Sequence, residues 1–267
     1  MKCTGCHTEL DEGKTRCSRC GKWNVEGETD VEDDVCDLED VEASDHDRLV
    51  TGPWDAAWGG GIVKDSVTFF AGRPGAGKSS LTMQMAKNVV DGGGTVLYIS
   101  KEETKNQLKA RAVRLGLTGK KGITIASQFG VRVFDLCQKH KPRFVIVDSL
   151  PGLLGLGWHD IEAAESTLRQ IKLFADVAKA PAIVISHINK KDQFSGPVGL
   201  EHLIDTTMFL QKDKKNPRFR VLVPEKNRFG AVDVRVWFEM GEKGLSVIDD
   251  PYDDSDDESE ELDEDDV

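Results

Sequence analysis

Residues 66–90 read SVTFFAGRPGAGKSSLTMQMAKNVV. An apolar strand runs into the pattern G-x-x-x-x-G-K-S between Gly72 and Ser79, and apolar residues at helical spacing come after it. Glycines in such a turn let backbone N–H groups wrap phosphates, and the helix behind aims its positive N-terminus at them. The stretch therefore predicts a nucleoside triphosphate site, ATP or GTP, built from Gly72, Arg73, Pro74, Gly75, Ala76, Gly77, Lys78, Ser79 and Ser80. Lys78 is expected to reach the β- and γ-phosphates, and Ser79 to ligate Mg²⁺.

Downstream, short apolar strands alternate with amphipathic helices: TVLYIS, TKNQLKARAVRLG, GITIAS, FGVRVFDLCQKH, RFVIVDS, IEAAESTLRQIKLFADVAK and APAIVISH. Strands separated by helices of this length predict right-handed crossovers and an α/β fold, a mostly parallel sheet with helices on both faces. Ligands of such sheets bind at the carboxyl ends of the strands. There RFVIVDS presents Asp148, suited to holding Mg²⁺ through water, and VLYISKEET presents Glu102 and Glu103, either of which suits activation of an attacking water. AIVISHINKK presents His187, placed to contact a γ-phosphate and report its loss. The last segments, DTTMFLQK, RFRVLVPEK and VDVRVWFEM, have no helix between them and predict an antiparallel extension. At its turn VLVPEKNRFG places Lys226 and Arg228 two residues apart, so that an extended chain projects both cations to one side, toward an anion.

The chain has 267 residues, 39% of them hydrophobic, enough for one substantial domain with appendages. Its net charge of −12 conceals segregation. Residues 26–47 carry twelve acidic side chains and residues 249–267 thirteen, with no basic residue in either run apart from histidine, which leaves 48–248 with an excess of eleven positive charges. The runs predict an acidic linker and a disordered acidic tail, and the cationic middle suits a polyanion. Cys3, Cys6, Cys17 and Cys20 are spaced C-x2-C-x10-C-x2-C, which predicts four thiolates around one Zn²⁺ in a ribbon over 1–25. The start of the chain lacks the pattern of a signal peptide and no apolar run approaches membrane-spanning length, so no membrane partner and a cytoplasmic location are expected.

These residues resemble the RadA (Sms) family, RecA-fold ATPases of bacterial recombination and repair. The likeness spans roughly 1–25 and 48–245 and is carried by CSRCGKWN, TGPWDAAWGGGIVKDSVTFFAGRPGAGKSS, YISKEET, VIVDSLPGL, ISHINKKDQFSGPVGLEHLIDTTMFL and EKNRFG, the family's own signature. The resemblance implies a RecA-like ATPase core over 48–248 and a homo-oligomer, a hexameric ring related to DnaB-type helicases that moves on single-stranded DNA and extends recombination branches. It implies that Glu102 rather than Glu103 is the catalytic base, that His187 is a sensor, and that Lys226 and Arg228 reach a neighbour's γ-phosphate. It also makes Lys190, Lys191 and Phe194 contacts to DNA in a channel loop, the aromatic placed to stack on a base. Family members usually continue into a Lon-protease-like domain where this sequence turns acidic, which is similar to phage replication helicases. The expected function is thus an ATP-dependent single-stranded-DNA motor, with a recombinase, polymerase or single-strand-binding protein as partner of the tail or ribbon. Three rivals remain at this point: a phage DnaB-like replicative helicase, an ATP-regulated recombination mediator with little motor activity, and a KaiC-like regulatory ATPase without DNA.

Overall fold

The structure is a computed structural model and describes residue 9 and residues 47–119, 121–127, 133–154, 161–186 and 200–253. The zinc-ribbon cysteines, His187, Lys190, Lys191, Phe194 and residues 254–267 of the tail lie outside the described residues.

Among the described residues the chain forms a nine-stranded sheet and a two-stranded ribbon of β1 (Arg48–Leu49) and β2 (Ile62–Val63). The first half of the large sheet comprises β3 (Val67–Ala71), α1 (Lys78–Asp91), β4 (Val96–Ser100), α2 (Lys105–Arg114), β5 (Ile123–Ala126) and α3 (Val133–His140). It continues through β6 (Phe144–Asp148), α4 (Leu150–Leu154), α5 (Ile161–Ala178), β7 (Ala182–Ile185), β8 (Thr206–Lys212), β9 (Phe219–Asn227), β10 (Val236–Gly241) and β11 (Gly244–Ile248). The spatial order is β11-β10-β9-β8-β3-β7-β6-β4-β5. Strands β8, β3, β7, β6, β4 and β5 are parallel to one another, and β9, β10 and β11 continue from β8 as antiparallel neighbours.

The central strands are mostly apolar because both of their faces are covered. Val96, Tyr98, Phe144, Ile146 and Phe70 pack on one side with Leu81, Met85 and Leu108 of α1 and α2. Their alternate neighbours Leu97, Ile99, Val145, Val147 and Phe69 pack on the other with Cys137 of α3 and Leu168 and Ile171 of α5. Period-two side-chain alternation thus feeds two hydrophobic layers from one sheet. The chain changes face where it reverses direction across the sheet, between β5 and β6, as right-handed crossovers require. Helices on both faces of a mostly parallel sheet match the expected class.

The antiparallel end differs in detail from the sequence reading. Strand β10 begins at Val236 rather than Val232, and β11 completes the sheet. Val236 faces Leu222, so residue 234 would face Pro224, which has no N–H to donate, and the ladder stops there.

Candidate nucleotide-binding site

The glycine-rich loop joins β3 to α1 at the carboxyl edge of the sheet. Gly72 is required by space: a Cβ there would lie 2.4 Å from the Leu210 carbonyl oxygen of the neighbouring β8. Gly77 caps α1 with φ 109°, a left-handed backbone that suits glycine, and its carbonyl accepts from the Leu81 N–H at 2.9 Å. Lys78 opens the helix and is buried, its Nζ donating to the Gly72 carbonyl at 2.6 Å and to that of Arg73 at 3.3 Å. Burial pushes its proton affinity down, while the charges of Asp148 and Glu102 oppose that shift. A desolvated ammonium beside two carboxylates and a helix N-terminus is prepared for a polyanion.

Asp148 ends β6, is 2% exposed, and accepts hydrogen bonds from the Ser79 hydroxyl and from the Tyr98 hydroxyl at 2.8 Å. Burial nevertheless holds its carboxyl above the usual range, and burial drives the Tyr98 phenol well above its own. A buried carboxylate bonded to the loop serine is a pair of hard oxygen donors of the kind Mg²⁺ takes, so the donor set fits that ion.

The two glutamates after β4 have different partners. Glu102 is exposed and accepts from the Ser149 hydroxyl, next to Asp148, and its charge acts on Lys78. Glu103 turns to α2, where Arg111 Nη2 lies 2.7 Å from its Oε1, and burial raises its carboxyl. The two adjacent acids therefore differ in their surroundings, Glu102 turned to the strand end beside Asp148 and Glu103 tied to α2.

Lys226 and Arg228 occupy the opposite end of the fold. Because β9 runs antiparallel to β8, Lys226 faces Thr207, which faces Phe69 of β3. Its Nζ donates to the Ile204 carbonyl at 2.7 Å, and Arg228 Nη1 lies 3.0 Å from Asp205 Oδ1. Arg48 fixes the turn beyond, donating from Nη2 to the Phe229 carbonyl at 2.9 Å. The two cations converge on one segment, and they are not at their own chain's phosphate loop.

Sequence reading passed over three residues here. Tyr98 and Ser149 present hydroxyls to the two carboxylates, and Arg220 of β9 donates from Nε to the Ala76 carbonyl at 2.9 Å. A tyrosine in an apolar strand and an arginine at a strand start carry no signal by themselves, since both types occur in these places for packing and solvation alone.

Comparison with known proteins agrees with this fold. The family model described as AAA domain matches residues 32–193. The chain belongs to that family. This AAA-domain chain is also similar to the DNA repair protein RadA of Bacillus subtilis, 29% identical over 92% of this chain and 58% of the relative. RadA of Aquifex aeolicus is 30% identical over 93% of this chain and 59% of its own length. For RadA of Mycobacterium tuberculosis H37Rv the values are 32%, 94% and 56%. The RadA resemblance is thus borne out, and the chain spans somewhat under three fifths of the length of these relatives. The crystal structure of a KaiC-like protein from Pyrococcus horikoshii superposes with a TM-score of 0.64 at 18% identity, covering 76% of this chain and 100% of that one, which shows a shared fold. Among the described residues no helix is long and apolar enough to cross a membrane.

Proposed function

We propose that this protein is an ATP-hydrolysing enzyme of the RadA type that acts in DNA repair, moving on single-stranded DNA as a ring whose ATP sites lie between subunits. The observation that carries the reading is the separation of two half-sites on one chain. Lys78, Ser79, Asp148 and Glu102 gather at the carboxyl edge of the sheet, and Lys226 and Arg228 stand beside Asp205 at the far end of β8. Joining two copies edge to edge supplies each gathered site with a neighbour's cations, which is the arrangement a triphosphate needs for its transition-state charge.

In this scheme the loop amides and Lys78 hold the β- and γ-phosphates, and Glu102, oriented by the Ser149 hydroxyl, takes the proton of a water in line with the scissile bond. Ser79 directly and Asp148 through water would hold Mg²⁺, which when bound neutralises phosphate charge. The neighbour's Lys226 and Arg228 would meet the charge that develops on the transferred group. His187 as sensor, Lys190, Lys191 and Phe194 as DNA contacts, and a zinc ribbon on Cys3, Cys6, Cys17 and Cys20 complete the proposal on sequence grounds.

The test is steady-state ATP hydrolysis with and without single-stranded DNA at low and moderate salt. Stimulation that weakens as salt rises is expected of a motor that contacts phosphates. Hydrolysis indifferent to DNA would instead point to a regulatory ATPase sharing the fold of the KaiC-like protein.

A further inference from the structure

We infer that Arg220, a residue of the antiparallel extension, is a positioning residue for the phosphate loop and sets the affinity for nucleotide. The inference rests on the ATPase reading above. Arg220 is the second residue of β9, opposite Lys212 of β8 and Phe238 of β10, and it shares a sheet face with Leu222 in the core beneath α1. An apolar side chain would continue that stripe. A guanidinium stands there instead, 6% exposed, with Nε donating to the Ala76 carbonyl at 2.9 Å and Nη1 donating to the carbonyls of Pro217 at 2.6 Å and Phe219 at 2.7 Å.

The contact with Ala76 reaches the ligand side of the loop through one peptide plane. The Ala76 carbonyl and the Gly77 N–H belong to the same planar trans unit and point in opposite directions. Holding the carbonyl back against β9 therefore turns the Gly77 N–H toward the cradle, where loop amides meet phosphate. The charged donor also polarises that peptide, which strengthens the N–H as a donor.

Lys78 at present holds the Gly72 and Arg73 carbonyls, and it must release them to reach a triphosphate. Arg220 is the cation that stays with the loop through that exchange. Its burial lowers its proton affinity, a cost that an arriving polyanion relieves. The extension is consequently part of the nucleotide site and not only an edge to the sheet. Gly77 agrees, since a Cβ on it would lie 2.6 Å from Met240 Cε of β10.

The experiment uses the full chain carrying Arg220→Gln, which keeps a planar donor without charge, and Arg220→Lys, which keeps the charge. Binding of a fluorescent ADP analogue with Mg²⁺ is titrated beside KM, kcat and the melting temperature of the nucleotide-free protein. Arg220→Gln should raise both Kd and KM about tenfold, the loss of one charge-assisted hydrogen bond, with kcat within about twofold, because the amide holds ground state and transition state alike. Arg220→Lys should recover part of the affinity. Nucleotide affinity within twofold of the parent in both variants, with only the melting temperature lowered, overturns the assignment and leaves Arg220 a packing residue. Should Arg220→Gln fail to fold, Arg220→Lys alone decides: at least a threefold rise in Kd upholds the inference and unchanged Kd refutes it. Binding to the parent protein separately tests the ATPase reading, which falls if the parent binds no nucleotide.

Discussion

If Lys226 and Arg228 serve a neighbour's site, two inactive variants should restore each other. The register sets the distance. Lys226 lies level with Phe69, and the loop begins three residues on at Gly72, about 10 Å further along the strand at ~3.3 Å per residue. Both side chains also point toward the amino end, at Ile204 and Asp205, so neither reaches its own loop without abandoning those partners. Arg228→Ala should leave the fold intact. Asp205 keeps Lys172 at 2.8 Å and the Val67 N–H at 2.9 Å, and Arg228 is half-exposed, so the lost ion pair is worth less than ~1 kcal/mol. Hydrolysis by that variant alone should fall by about 10³ or more, as for other cationic fingers. Glu102→Gln should be equally inactive. In rings mixed at equal ratio, about a quarter of interfaces pair an intact Glu102 with a neighbour's intact Arg228, so about a quarter of parent activity is expected, far above either background. The assay is steady-state phosphate release across mixing ratios, with co-purification through a tag on one variant to establish mixed assemblies. Activity that stays at the single-variant background in verified mixtures would refute the shared site.

Other consequences arise from the same geometry. Glu102→Gln should abolish turnover while leaving nucleotide binding within about twofold, whereas Glu103→Gln, whose parent carboxylate is tied to Arg111, should retain most activity; single-turnover hydrolysis beside ADP-analogue titration separates them. Asp148→Asn should abolish Mg²⁺-dependent hydrolysis and yet melt higher than the parent without nucleotide. A carboxyl raised in the folded state loses stability as pH rises from its ordinary value through its raised one, so the gain should be present at neutral pH and should vanish toward about pH 4, as melting curves across pH would show. If the four cysteines hold zinc as proposed, metal analysis of purified protein should find about one zinc per chain, lost on strong chelation or on Cys17→Ala substitution.

The phosphate loop, the alternation of strands and helices and the strand-end placement of Asp148 were legible because each is local: a loop must bring glycine amides to a helix start, and a parallel strand delivers its last residues to the ligand edge of the sheet. The different surroundings of Glu102 and Glu103 were not legible from position, since adjacent acids share every local property. They come from Ser149 after β6 and from Arg111 one helix away. Arg220 left no trace for the same reason, as its partner Ala76 lies far off in sequence and only sheet pairing brings the two together. The sequence by itself determined a nucleotide-binding α/β core with a cationic pair on its last strands, because backbone wrapping and hydrophobic periodicity are written in neighbouring residues. Only the tertiary structure decided that the pair stands away from its own site while the same strand's other end holds the loop, because antiparallel register assigns the two ends of β9 to opposite edges of the fold.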